Sequence, residues 1–173
     1  MNIDKLLKEL RLPVILIASS LCSCVTEDDT EGYSKVMVGD KLPLFSVELN
    51  TGKTVSTDSL RGKTSMIVFF NTDCSDCRKE LPVINEVAEL MRDRVETVCI
   101  SRSQSADEIA RYWSENGLTL SYSAQTDRSV YDMFATSGIP RIYISDRYLT
   151  VTHTFSDYPL PTAEELIRCL TSE

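Results

Sequence analysis

The chain has 173 residues, 42% of them apolar, and carries 26 acidic against 18 basic side chains for a formal net charge of −8. That length and apolar share suffice for one domain with a sizeable core. An acidic chain without any basic run is excluded as a nucleic-acid binder, because phosphate contacts need clustered Lys and Arg.

At the N-terminus, Lys5, Lys8 and Arg11 precede an apolar stretch from Leu12 to Leu21 that is too short to span a bilayer as a mature helix. Residues 1–23 therefore read as a signal sequence. The stretch ends in Leu21-Cys22-Ser23-Cys24, which resembles the lipobox of bacterial lipoproteins: an apolar residue three places before the modified cysteine and a small one directly before it. Cys24 is the expected lipidated N-terminus, whereas modification at Cys22 would put Leu21 in the small-residue position. The alternative is an uncleaved anchor with two incidental cysteines. Removing residues 1–23 takes away three basic and two acidic side chains and moves the net charge from −8 to −9. Glu27, Asp28, Asp29 and Glu31 follow, so residues 24–36 read as a solvated acidic tether and residues 37–173 as one domain without internal repeats.

Within that domain, Leu44 to Leu49 and Lys53 to Ser56 alternate like a hairpin around Asn50-Thr51-Gly52. Ser65 to Phe70 is a continuous apolar run, the pattern of a strand buried on both faces. Immediately after it stands Cys74-Ser75-Asp76-Cys77, opening a helical segment in which Leu81, Ile84, Ala88 and Met91 share one face. Two cysteines delivered by a strand onto a helix N-terminus are placed for a lowered thiol pKa and for disulfide exchange. Val95 to Ile100 is the next buried strand. Ser105-Ala106-Asp107-Glu108 is a capping box, with Ile109, Ala110 and Trp113 as the apolar stripe of its helix. Arg141 to Ser145 and Thr150 to Phe155 read as strands joined at Asp146-Arg147. A last helix is capped by Thr162 and Glu165, with Ala163, Leu166, Ile167 and Leu170 inward. The fold class is α/β, a central mixed sheet flanked by helices and preceded by a β-hairpin.

The run from Phe69 through Cys74 and Cys77 to Pro82 resembles the active-site segment of thioredoxin-fold proteins of the membrane-anchored TlpA/ResA kind. Gly39 to Phe45, Asp58 to Lys63 and Ser137-Gly138-Ile139-Pro140 resemble their opening hairpin, the loop into the central strand and the cis-proline loop. The resemblance implies that Cys74 is the exposed nucleophile, stabilised as thiolate by free backbone N–H groups and the helix dipole. Cys77 is implied as the resolving thiol, and Pro140 as a cis-proline whose loop lets the backbone of Ile139 pair with an extended substrate. Ser75 and Asp76 are expected to face that substrate. Glu48 is a candidate proton relay to the resolving thiol, against its reading as an ordinary solvent-facing glutamate on an edge strand.

This chain departs from the family pattern at Asp73, where tryptophan usually precedes the first cysteine, and Asp76 lies between the two thiols. Two carboxylates beside a developing thiolate oppose the helix dipole, with Arg78 and Lys79 as partial compensation. The expectation is a reducing couple near or below the roughly −270 mV of thioredoxin. The implied activity is reduction of disulfides in exported proteins by a lipid-anchored protein of a Gram-negative cell envelope, on the periplasmic side or the outer surface. A membrane thiol carrier is the implied electron donor, and no cofactor is implied. A thioredoxin-like peroxidase and a non-enzymatic binding lipoprotein remain as alternatives. Cys99 and Cys169 read as small core residues, with pairing to each other in an oxidising compartment as the alternative that sequence leaves open. His153 could face a core or an interface, and one Cys-x-x-Cys with a distant histidine does not make a zinc site.

Overall fold

The computed structural model describes residues 33–172, so the signal sequence, Cys22, Cys24 and the acidic run from Glu27 to Glu31 lie outside the described residues. Strands β1 (Ser46–Glu48) and β2 (Thr54–Ser56) form a two-stranded antiparallel hairpin. It is shorter than the alternation predicts: at Phe45 and Thr57 only one backbone bond remains, Thr57 N–H to Phe45 O at 3.0 Å, and a side chain takes the place of the other. Thr57 Oγ1 accepts from the Phe45 amide at 2.9 Å and donates to Pro43 O at 2.6 Å. A 3-10 turn over Thr57–Leu60, capped by Ser56, leads into β3.

The main sheet contains β3 (Thr64–Phe70), β4 (Val95–Ser101), β5 (Tyr122–Ser123), β6 (Arg141–Ser145) and β7 (Val151–Phe155), in the order β5-β4-β3-β6-β7. β3, β4 and β5 run parallel, while β6 is antiparallel to β3 and β7 to β6. Parallel neighbours need crossover connections, and α1 (Ser75–Met91) and α2 (Ala106–Asn116) supply them. Two late helices, α3 (Tyr131–Phe134) and α4 (Ala163–Thr171), complete the chain. Both capping boxes form as the sequence predicts, Ser105 with Glu108 and Thr162 with Glu165. β5 and α3 are too short for any period to announce them. Ala110 is exposed rather than part of the α2 stripe, because it lies about 100° round the helix from Ile109. Among the described residues no helix is long and apolar enough to cross a membrane.

Residues Ser65 to Phe70 of the central strand are fully buried, and successive side chains serve opposite faces. Phe69 meets Tyr131, Phe134 and Tyr143 at ring-centroid distances of 4.8–6.2 Å. Phe70 meets Trp113 of α2, which in turn meets Tyr122. The polar exception is Ser65, whose hydroxyl is paired with that of Ser145 across the β3–β6 ladder at 2.6 Å. The domain also starts earlier than residue 37. Val36 is buried, and Ser34 forms a β-bridge with Ala135, so the last residues of the predicted tether belong to the folded unit.

Candidate active site

β3 ends at Phe70 and α1 begins at Ser75, with Cys74 as its N-cap in extended backbone. The Cys74 Sγ accepts from the Cys77 amide at 3.5 Å, taking the place usually filled by a serine or aspartate oxygen. The free amides of the first turn and the positive end of the helix dipole therefore face this sulfur. Its thiol donates to Ile139 O at 3.3 Å. The connecting loop is pinned at each residue. Asn71 accepts from the Asp73 amide through Oδ1 at 2.7 Å and from the Cys74 amide through its carbonyl at 3.1 Å. Thr72 is buried, and Gln104 grips it twice, accepting from its amide at 2.9 Å and donating to its hydroxyl at 2.6 Å. Arg78 Nε donates to Thr72 O.

One turn inward, Cys77 is fully buried and burial pushes its thiol strongly upward, so it is held protonated. One further turn along the same face lies Glu80, only 2% exposed, whose Oε1 has no hydrogen-bond partner among the described residues. Burial pushes its carboxyl up to about 7. The charges around Cys74 are compensated in pairs: Lys79 bonds Asp76 at 2.8 Å, and Arg78 Nη2 lies 3.8 Å from Asp73 Oδ1. Opposite the thiols, the Ile139–Pro140 peptide is cis. Its loop is closed by Tyr131, whose hydroxyl donates to Gly138 O at 2.7 Å, and by Arg141, whose Nε donates to Ser137 O at 2.8 Å.

Cys74, Cys77, Ile139 and Pro140 are thus assembled at one end of the sheet, with Ser75 exposed and Asp76 half-buried on the first turn of α1. Among the described residues Glu48 makes no hydrogen bond to either thiol. The β1 alternation turns Val47 inward and leaves Glu48 exposed, and the carboxylate buried on the thiol-bearing helix is Glu80. Glu80 stands beside two basic residues, Arg78 and Lys79, in the sequence. Its spacing of three from Cys77 and four from Ile84 places it on the buried stripe. Gln104 carried no such signal. The other described cysteines, Cys99 and Cys169, are free thiols; Cys99 is fully buried, which pushes its thiol up to about 12. His153 is half-buried, and burial with Arg168 nearby depresses its pKa, favouring the neutral imidazole.

The family model described as AhpC/TSA family matches residues 38–154. The thiol-disulfide oxidoreductase ResA of Bacillus subtilis (strain 168) is 26% identical over 114 residues, covering 65% of this chain and 64% of that protein. A ResA of Bacillus cereus is 21% identical over 138 residues, 77% of this chain and 80% of that one. The chain spans just under two thirds of the length of the first curated relatives it matches. Among solved structures, a candidate protein disulfide isomerase from Bacteroides thetaiotaomicron aligns with a TM-score of 0.72 at 25% identity, covering 80% of this chain and 88% of that one. A thioredoxin-family thiol:disulfide interchange protein from Chlorobium tepidum TLS aligns with a TM-score of 0.67 at 22% identity, over 78% and 95% of the two chains. With more than half of its length matched by that family model and its sheet aligning with thioredoxin-family neighbours, this chain belongs to the AhpC/TSA family and has a thioredoxin-like fold.

Proposed function

We propose that this protein is a membrane-tethered thiol–disulfide oxidoreductase that reduces disulfides of exported proteins through Cys74 and Cys77. The observation that carries the reading is the Cys74 sulfur at the N-cap of α1, accepting from the Cys77 amide and 3.3 Å from Ile139 O. A free nucleophile, a buried resolving thiol and a backbone edge for an extended partner are then within reach of one another. The names of the ResA relatives support the same chemistry.

In the proposed reaction the Cys74 thiolate attacks one sulfur of a substrate disulfide, forming a mixed disulfide and releasing the other substrate sulfur as a thiolate that takes up a proton. Cys77 must then lose its proton to attack Cys74. Glu80, with a carboxyl near neutrality on the same buried face, is the proposed acceptor of that proton. The second substrate thiol leaves as the Cys74–Cys77 disulfide forms, so two electrons have passed to the substrate. A dithiol donor, proposed to be a membrane thiol carrier, restores the reduced pair. Ser75 and Asp76 are proposed to border the bound substrate, and the leader with Cys24 is the sequence basis for lipid anchoring in the cell envelope.

The test is the equilibrium potential of the Cys74–Cys77 pair in the full chain against a dithiothreitol series. The expected result is one two-electron transition at or below about −270 mV; a potential above about −180 mV would make the protein an oxidant or isomerase. Absence of a reversible transition would leave only a binding role. Peroxide turnover would favour the peroxidase alternative, against which stands the absence of an upstream proline in residues 67–71.

A further inference from the structure

The N-terminal arm, residues 33–36, is docked along the segment that leads into the cis-proline loop. Ser34 bridges Ala135, and the amides of Lys35 and Val36 both donate to Phe134 O, at 2.8 and 3.2 Å. Tyr33 O accepts from the amide and the hydroxyl of Thr136, at 2.8 and 3.2 Å. The chain just before Ser137 is thereby held by backbone pairing. The far end of the loop is held by a side chain. Arg141 is only 2% exposed, its Nε donates to Ser137 O at 2.8 Å, and its Nη1 donates to Ser34 Oγ at 2.6 Å. Among the described residues its Nη2 has no partner, so losing Ser34 would orphan a second buried donor of one guanidinium, a costly arrangement. The same four-residue arm thus braces both ends of Ser137–Pro140, the loop whose Ile139 carbonyl meets the Cys74 thiol.

We infer that Ser34 and Arg141 are positioning residues for peptide substrates, coupling the tether side of the molecule to the substrate-pairing loop. This rests on the oxidoreductase reading above. Neither residue makes a hydrogen bond to Cys74 or Cys77; both act through the set of Ser137–Pro140. A protein disulfide has to align its backbone along Ile139, whereas a small aromatic disulfide reaches Cys74 without that pairing. Loosening the brace therefore raises KM for the first and spares the second.

The experiment compares full-length wild type with Ser34→Ala, Ser34→Thr and Arg141→Lys, using insulin as the protein disulfide, with dithiothreitol as the two-electron donor for turnover, and dithiodipyridine as the small one, reduced in a single turnover by the pre-reduced protein. Ser34→Ala is expected to raise KM for insulin by about fivefold or more with kcat retained, and to leave the dithiodipyridine rate within about twofold. Ser34→Thr, which keeps the hydroxyl, restores the wild-type KM. Arg141→Lys behaves like Ser34→Ala, since an ammonium lacks the planar fork that bridges two fixed partners. Should Arg141→Lys fail to fold, the Ser34 pair decides alone. An unchanged KM for insulin in Ser34→Ala, or an equal loss on both disulfides, overturns the inference. A wild type that reduces neither disulfide removes the oxidoreductase reading itself; a wild type active on both with a silent Ser34→Ala removes only the brace.

Discussion

Cys77 and Glu80 lie one turn apart on the inward face of α1, and burial pushes both toward their neutral, protonated forms. In the proposed reaction, the thiol that must lose its proton to attack thus lies one turn from a carboxyl that changes state near neutrality. Replacing Glu80 with Gln is expected to slow release of the mixed disulfide by about 100-fold, read by single-turnover quenching, and to erase its pH dependence near neutrality. The same group makes stability depend on pH. In the folded protein the carboxyl holds its proton up to about 7, whereas unfolded it ionises near 4.5, so the folded state binds the extra proton between these values. Its stabilising contribution is full below the unfolded value and is lost as pH rises through the folded one. The expected loss is on the order of 3 kcal/mol. Denaturant titrations between about pH 4 and pH 8 should show this decline in wild type and a flatter profile in Glu80→Gln. An equal slope in both proteins would count against Glu80 as the titrating group. The residue was readable from its spacing along the helix, but its charge concealed it, because only the packing of α1 against the sheet tells a buried carboxylate from a solvated one.

The element that presents Cys74, the proposed nucleophile, is a loop of four residues between β3 and α1, and a second loop holds it in place. Arg102, Ser103 and Gln104, following β4, supply partners to Phe70 O, Asn71 and Thr72. This polar clamp adjoins Asp73, where the resembled family usually has tryptophan. Gln104→Ala leaves the buried Thr72 amide and hydroxyl without partners and is expected to cost about 1–3 kcal/mol, measured by chemical denaturation. A change within error of zero would mean that water replaces the glutamine. The helices on either side were legible because their signals are local. Ser105 with Glu108 and Thr162 with Glu165 each satisfy amides within one turn. β5 was not legible, since its two residues are strand only by pairing with Cys99 and Ile100. Nor was α3, whose four residues are held by Phe69 and Tyr143 rather than by periodicity.

Across the whole molecule, the central position of β3 makes Phe69 and Phe70 the hinge between two aromatic clusters on opposite faces of the sheet. The Phe69 cluster lies under α3 and next to Arg141, its cross-strand partner in the β3–β6 ladder. Truncating Phe69 to Ala is therefore expected to cost about 3–5 kcal/mol in global stability, read from the denaturation midpoint. A loss below about 1 kcal/mol would show that the cluster collapses to fill the void. Sheet order also decides where the chemistry sits. Cys74 comes at the end of β3 and Arg141 at the start of β6, and because those strands are antiparallel neighbours both fall at the same end. That places the cis-proline loop opposite the thiols without any local signal linking residues 74 and 139.

The sequence by itself determined the thiol pair, its position at a helix N-terminus and the order of motifs that identifies the fold. Each of these is a matter of spacing within one or two turns, where backbone geometry leaves few alternatives. Tertiary structure decided which carboxylate is buried: Glu48 at the end of β1 stays exposed, whereas Glu80 inside α1 is covered. It also decided that the domain begins by Tyr33, that Gln104 holds the loop before Cys74, and that Ser34 reaches a guanidinium 107 residues away. Burial and long-range hydrogen bonds depend on how the whole chain closes on itself, and no window of neighbouring residues contains that information.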